Sequence, residues 1–528
     1  MRPADFHSGS RSETGPSIAP RRRLAMLAAL LPLLLTCGCL SVGPDFSPPD
    51  PLLPPTSFFG KPEPAISTVG SLPPGGPTKS NSAQIDPEWW AAFRDPILTS
   101  LASRVVGANL DVQSASVRLA ESRFQRGVTA SAAFPSVNFS PSYQRELLSQ
   151  NGILSLASGF TGAPIKVPPI SIYQVGFDAS WEIDIWGHVR RQIEAAEAEV
   201  ESSEYQRRDT LVATLAELAR DYIELRGAQT QIAIANANLV SSNDILRLTR
   251  TRAEKGLTTG LDVENAAAQV ESVRAQLPTL ENQESSYINA LSLLLDEPPG
   301  SLRSELARAK PIPPTPPRAP LGVPSELARR RPDIRRAEAE LHAATANIGV
   351  AVADFYPSVK FNGSVGFNAL DLKNLWKGSS LQYQLGPSIS LPIFEGGRLK
   401  STLELREAQQ QEAYIAYHKT VLQAWHEVVN ALVAYRTEQE RRASLKAQVD
   451  HSRQALMLSR SRYNNGVGDF ITVLDAERTV LQAELQHAQS ATAVSTDFVQ
   501  LYKALGGGWE LTYPNEDATS VAAAIPLR

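Results

Sequence analysis

Apolar and polar positions along this chain fall into two textures, and each texture occurs twice. The first has period two. In YQVGFDASWEIDI, residues 173–185, one parity holds Tyr173, Val175, Phe177, Ala179, Trp181, Ile183 and Ile185, and the other holds Gln174, Gly176, Asp178, Ser180, Glu182 and Asp184. Such alternation predicts a strand with one apolar and one polar face. Three more stretches alternate in the same way. Val137, Phe139 and Tyr143 interleave with Ser136, Asn138 and Ser140; Val359, Phe361, Val365 and Phe367 with Lys360, Asn362 and Ser364; Tyr383, Leu385, Ile389, Leu391 and Ile393 with Gln382, Gln384, Ser388 and Ser390. Four strands are therefore expected near 134–143, 173–185, 356–368 and 382–394.

The second texture is helical. Proline is absent from 170 to 277 and from 393 to 513. Tyr414, Val421, Val428 and Tyr435 recur every seventh residue with Trp425 and Leu432 between them, and Leu211, Leu218 and Leu225 do so with Leu215 and Tyr222 between. This is the seam of a coiled coil. A helix from about 190 to 255 would run about 100 Å at about 1.5 Å per residue, far beyond what a compact domain needs. Each long helix meets a glycine-bearing break, KGLTTG at 255–260 and NNGVGD at 464–469. Gly256 and Gly466 suit the left-handed residue that ends a helix. Each break is expected to turn an antiparallel helical hairpin.

The chain is an internal duplication. NLDVQSASVRLAES at 109–122 parallels RPDIRRAEAELHAA at 331–344, and FPSV at 134–137 parallels YPSV at 356–359, both at an offset of 222. YQVG at 173–176 parallels YQLG at 383–386 at an offset of 210, and so do the glycine breaks. A 12-residue insertion thus lies in the first copy, between FPSV and YQVG. The expected organisation is a first repeat over 86–310, a proline-rich linker over 311–320, a second repeat over 321–510 and a tail over 511–528.

The N-terminus changes the setting. Arg21, Arg22 and Arg23 precede LAMLAALLPLLL at 24–35, the pattern of a secretory signal peptide. The chain's two cysteines, Cys37 and Cys39, close that run, so no disulfide framework is available. LTCGC resembles a lipobox, and Gly38 before Cys39 makes Cys39 the expected site of acylation, with 1–38 removed as signal; a plain cleaved signal is the alternative. Residues 39–85, rich in Pro, Gly and Ser, form an extended or disordered arm.

Charge and composition exclude more than they assign. The net charge is −4 and the basic residues gather on no face, so nucleic acid is not an expected partner. The seven histidines are scattered, and no metal-ligand spacing, phosphate loop or nucleophile elbow is present, so neither an enzyme nor a cofactor beyond a covalent lipid is expected. The alternating segments fit tilted transmembrane strands, apolar toward lipid and polar toward a wet lumen. They also fit half-buried strands of a soluble sheet, a reading the export signal disfavours. Four strands cannot close a barrel, and open edges are not tolerated in lipid, so several subunits are needed. Two copies give a filled eight-strand barrel; three give twelve strands and a wide pore. The predicted fold is mainly α with a small transmembrane β part: four strands and long coiled-coil hairpins per chain, three chains forming a 12-strand β-barrel on a 12-helix α-barrel.

GCLSVGPDFSPP at 38–49, PEWWAAFRDPIL at 87–98, SWEIDIWG at 180–187, LGVPSELARRRPDIRRAEAEL at 321–341, LPIFEGGRL at 391–399 and SRYNNGVGDFITVLDAER at 461–478 together resemble, in order, the signatures of the outer-membrane factor family, the TolC-like exit ducts, and most of all its lipid-anchored OprM-like branch. The resemblance implies a homotrimeric outer-membrane duct with a long periplasmic extension, working with a periplasmic adaptor and a proton-driven inner-membrane pump to expel drugs or other toxic solutes. It implies an iris at the periplasmic tip lined by Ile471, Asp475 and Arg478, with Thr472 where TolC-like relatives carry a further acidic residue, so a double carboxylate ring is not expected. It also implies that Gly256, Leu257 and Thr258 and Gly466, Val467 and Gly468 dock the adaptor; turn chemistry alone would also account for these residue types. A periplasmic coiled-coil adaptor lipoprotein and a type I secretion channel are the competing functions. The adaptor leaves the four symmetric strands unexplained.

Overall fold

The computed structural model describes residues 41–51, 88–147, 149, 168–315 and 330–509. The signal peptide, Cys39, most of the arm, the end of the linker and the tail lie outside the described residues. The described chain divides into two compact units. One is built on 130–192 and 347–403 with the segment up to Pro44; the other takes in Asp45–Thr129, Ile193–Ala346 and the chain from Glu404 onward.

The first unit holds an antiparallel sheet of five segments, β1 (Ser136–Phe139), β2 (Ser142–Glu146), β3 (Ile170–Ile183), β4 (Ser358–Ala369) and β5 (Leu381–Ser390). β1 and β2 share one lane beside β3, and the order continues β3-β4-β5. The sheet therefore has four lanes, one for each alternating stretch. The first predicted strand is split. Pro141 has no N–H to donate, so the ladder breaks there and resumes at Ser142. The register sets like against like. Phe139 faces Phe177, which faces Val365; Trp181 faces Phe361; Val365 faces Tyr383. On the other parity Ser180 faces Asn362, Oγ to Oδ1 at 3.0 Å, and Asn362 Nδ2 donates to Ser388 Oγ at 2.8 Å. Lys360 and Glu182 form an ion pair at 3.6 Å. The apolar side chains stand out from the sheet: Val137, Phe139, Phe177, Val365, Leu385 and Ile389 are all exposed, and Tyr383 is 80% exposed.

Helices α1 (Pro96–Ala108), α2 (Leu110–Ala130), α3 (His188–Glu254), α4 (Gly260–Leu294), α5 (Arg303–Leu306), α6 (Pro332–Ala353), α7 (Arg398–Asn464) and α8 (Phe470–Ala504) make up most of the rest. α3 and α7 have 67 residues each, and α4 and α8 have 35 each. His188 and Arg398, Glu254 and Asn464, Gly260 and Phe470, and Leu294 and Ala504 are all 210 apart, so the sequence offset is the offset of the elements. At about 1.5 Å per residue α3 and α7 are each about 100 Å long.

The main core of the helical unit gathers Trp89, Phe93, Leu98 and Leu101, the seam residues Leu211, Leu215, Leu218, Tyr222 and Leu225, then Leu291, Leu302 and Leu306, and Val428, Leu432, Phe498 and Tyr502. Trp89 stacks on Tyr502 with centroids 5.5 Å apart, and Phe93 meets Phe498 edge to face at 5.4 Å. Asp95 caps α1 by accepting from Ile97 N and also takes the Tyr222 hydroxyl at 2.6 Å, fastening the first turn of α1 to α3. The second seam is buried at Val421, Val428, Leu432 and Tyr435, with Trp425 half-buried, but Tyr414 is exposed. Heptad spacing tells which face of α7 is apolar, not how far its partner extends along it.

No helix among the described residues is long and apolar enough to cross a membrane.

Candidate functional site

KGLTT follows the end of α3 and NGVGD the end of α7, and the two helix ends are built alike. Gly256 and Gly466 have φ of 68° and 76°. Leu257 N donates to Arg252 O at 2.9 Å and Gly256 N to Ala253 O at 2.9 Å; Val467 N donates to Arg462 O at 3.0 Å and Gly466 N to Tyr463 O at 3.1 Å. This nested pair of bonds is the Schellman motif, which satisfies carbonyls that the helix end would otherwise leave bare. Gly468 is small for another reason. A methyl group placed on it would lie 3.1 Å from Arg462 Cβ.

The turns then present apolar side chains to solvent. Leu257, Leu261, Val467 and Ile471 are all exposed, whereas Thr258 is half-buried. Thr258 turns its hydroxyl toward Asp262 Oδ2 at 2.5 Å, and Thr259 and Asp262 cap the start of α4 reciprocally. Burial, the largest single influence, pushes the Asp262 carboxyl up, but the hydrogen bonds from Thr258 and Thr259 together outweigh it and hold the group below its ordinary range.

Behind the turns the two hairpins share a core of Ile245, Leu246, Ala266, Val270, Tyr463, Phe470, Val473 and Leu474. Each large apolar side chain buried here contributes roughly 1.5–3 kcal/mol. Arg252 ties the hairpins together at their ends. Its Nη1 donates to Tyr463 O at 2.9 Å and its Nη2 to Asn464 O at 3.1 Å, while its guanidinium lies 4.3 Å from the centre of the Tyr463 ring. A cation at the C-terminus of α7 also meets the negative end of that helix's dipole.

Ile471, Asp475 and Arg478 occupy successive turns of one face of α8, and Thr472 begins the same turn as Asp475; all four are exposed on the single chain. Arg478 is nonetheless tethered, its Nε donating to Gln269 Oε1 of α4 at 2.8 Å. The residues expected at the docking tips and those expected at a constriction thus lie at the same end of the two hairpins, within about three helical turns. Cys39 lies outside the described residues. Neither Arg252 nor Gln269 was given a role from the sequence: each acts with a partner more than 200 residues away.

Long paired hairpins with glycine turns, joined to a four-lane sheet that carries its apolar side chains outward, define the class of outer-membrane efflux channels. A family model described as outer membrane efflux protein matches residues 101–296 and 323–507, and the chain belongs to that family. It is 30% identical to Nodulation protein T of Rhizobium leguminosarum bv. viciae over 502 residues, 94% of this chain and 97% of that one. It is 30% identical to outer membrane protein OprJ of Pseudomonas aeruginosa over 494 residues, 93% and 97% of the two chains. The solved structure of the outer-membrane channel OprN superimposes with a TM-score of 0.80 at 32% identity, covering 89% of this chain and 99% of that one. The chain is an outer-membrane exit duct of an efflux pump.

Proposed function

We propose that three copies of this chain close one channel, which passes drugs or other toxic small solutes outward from a periplasmic adaptor and a proton-driven inner-membrane pump. The observation that carries the trimer is the sheet. Among the described residues β1 and β2 on one side and β5 on the other each pair with a single neighbour, so the four lanes end in two open edges. Lipid offers those backbone groups no hydrogen bonds. Pairing each β5 with the β1–β2 lane of the next copy removes every edge, and three copies give about twelve strands, wide enough for a polar lumen. The outward apolar parity then meets lipid, and Lys360, Glu182, Asn362 and Ser388 line the water.

In this reading Ile471, Asp475 and Arg478 narrow the periplasmic end, with Asp475 repeated around the axis as a ring of carboxylates that attracts cations. The exposed apolar tips, Leu257 with Gly256 and Thr258, and Val467 with Gly466 and Gly468, receive the adaptor. A lipid on Cys39 holds the N-terminus to the membrane, and two or more acyl chains make that anchorage firm.

Light scattering of the detergent-solubilised protein tests the assembly. A protein mass three times that of the chain is expected, and a monomer that still conducts in planar bilayers would overturn the reading. Asp475→Ala tests the constriction: its closed-state conductance should rise several-fold and its cation preference should fall.

A further inference from the structure

Two residues beyond Asp475, on the opposite side of α8, stands a carboxylate that neither the turns nor the constriction uses. Glu477 is 1% exposed. Its Oε1 accepts from Ser241 Oγ at 3.0 Å and Ser242 Oγ at 3.3 Å, both on α3, and lies 3.5 Å from Nη2 of Arg460 on α7. Arg460 Nη2 also donates to Ser241 Oγ. Glu477 Oε2 and Arg460 Nε are buried and have no hydrogen-bond partner among the described residues. One acidic side chain thus holds three helices together where α8 carries the constriction.

The other charges nearby are engaged elsewhere or exposed. On α8, Glu484 is held by Arg453 of α7 and Asn238 of α3, Arg478 by Gln269, and Asp475 faces solvent. On α3, Asp244 pairs with Arg247 in solvent, and Arg252 is spent on the α7 carbonyls. On α4, Glu264 is exposed and Glu271 pairs with Arg274. Arg460 is the charged group that faces Glu477, and its own side chain is partly open to solvent along a groove of about 550 Å³ lined by Arg453, Leu456, Met457, Ser461 and Asn464.

We infer that the Glu477–Arg460 pair is a proton-sensitive latch that positions the constriction: it fixes the roll of α8 against α3 and α7, and thereby where Ile471, Asp475 and Arg478 point. This rests on the proposed gate. Burial pushes the Glu477 carboxyl up, against the lowering by Ser241, Arg460 and Ser242. A buried acid raised in this way stabilises its surroundings most when protonated, and that stability is lost as pH rises through its raised value. Acid therefore favours the packing described here, which the proposed gate takes as its closed state. Near neutral pH the closed packing depends on Arg460 to offset the buried negative charge.

Arg460→Ala removes that cation. In planar bilayers its closed-state conductance should exceed wild type several-fold at pH 7.5 and return to within about twofold at pH 5.5. Arg460→Ala combined with Glu477→Gln should stay closed at both pH values. Glu477→Gln alone, which keeps the shape and the serine bonds, should show no pH dependence where wild type conducts less at pH 5.5. A merely structural Arg460 would leak equally at both pH values. No leak at pH 7.5, a leak that acid does not reverse, or a double variant as leaky as Arg460→Ala overturns the latch. The gate reading is read separately from Asp475→Ala. If that variant conducts as wild type while the Arg460→Ala leak is reversed by acid, Asp475 is not what narrows the channel, and the latch stands as the device that holds α8 against α3 and α7 in the closed state.

Discussion

The first hairpin turn closes on itself, Thr259 and Asp262 each bound to the other's backbone, whereas the second begins α8 at Asp469 with no side-chain cap. The helix ends before the two turns are otherwise the same: equal helices, the same pair of nested bonds, a glycine in the left-handed region. The second tip takes its missing support from the first. Arg252 reaches across to the carbonyls of Tyr463 and Asn464, while its counterpart Arg462 reaches, among the described residues, Val467 O of its own turn at 3.5 Å. Duplication made two equal hairpins, and the dependence between them runs one way. The self-capped tip is the fixed member, and the borrowed tip is the one that leads into Ile471 and Asp475.

Removing Arg252 breaks that dependence and carries the largest expected effect. Hydrogen bonds from a charged donor contribute about 1.5–3 kcal/mol each, and water partly replaces them at an exposed helix end. Arg252→Ala should cost about 2 kcal/mol locally, seen as roughly 30-fold faster amide exchange over 463–470. Exchange over 253–260 should stay within about twofold, and Arg462→Ala should move neither tip by more than that. Equal loosening of both tips in Arg252→Ala would show that the support is mutual.

The shared half of the design calls for equal losses. Gly256→Ala and Gly466→Ala place a side chain in the left-handed region, and the added methyl meets open space at both positions. Each should therefore cost only the backbone strain, about 1–2 kcal/mol, and by the same amount. Thermal melts of the two variants that differ by more than about twofold in destabilisation would reveal a contact at one tip that its twin lacks.

A smaller difference should appear at the caps. Thr259→Ala removes the N-cap of α4 and should cost about 1 kcal/mol. Asp469→Ala, at a position whose side chain caps nothing, should stay within about 0.5 kcal/mol. Denaturant midpoints of the two single variants decide this, and an equal shift would remove the asymmetry from the helix starts.

These features were unequally legible in the sequence. The strands, helices and duplicated register follow from periodicity, and Gly256 and Gly466 announce themselves as helix stops. The break at Pro141 was readable too, because a proline inside an alternating run interrupts the ladder. So was the cap: Thr259 three residues before Asp262 is the spacing of a reciprocal N-cap, and the second copy has Asp469 and Thr472 there instead. Arg252, Gln269 and Glu477 were not legible. Each looks like an ordinary polar residue of an amphipathic helix, and its role comes from a partner on another helix. The burial of Glu477 in particular arises where three helices cross, and no single helix's pattern encodes it. Tyr414 keeps the heptad yet is exposed on the single chain, so spacing alone does not say how far along α7 its face is covered there.

Acidity offers the finest test of the comparison, because the two hairpins hold carboxyls shifted in opposite directions. Asp262 at the first tip is held below its ordinary range, so the stability it contributes is present above about pH 4 and fades as pH falls through its lowered value. Glu477 behind the second tip is pushed up, so its surroundings gain stability over the pH range in which it becomes protonated. Spin labels placed at Leu257 and Val467 should therefore diverge as pH falls from 6 toward 3, the first gaining mobility at the acid end and the second losing it earlier. Thr258→Val removes a hydroxyl that donates to Asp262, so the loosening at Leu257 should begin at higher pH while the response at Val467 stays put. If the two labels gain mobility together, the tips are responding to general acid unfolding, and the opposed carboxyls do not distinguish them.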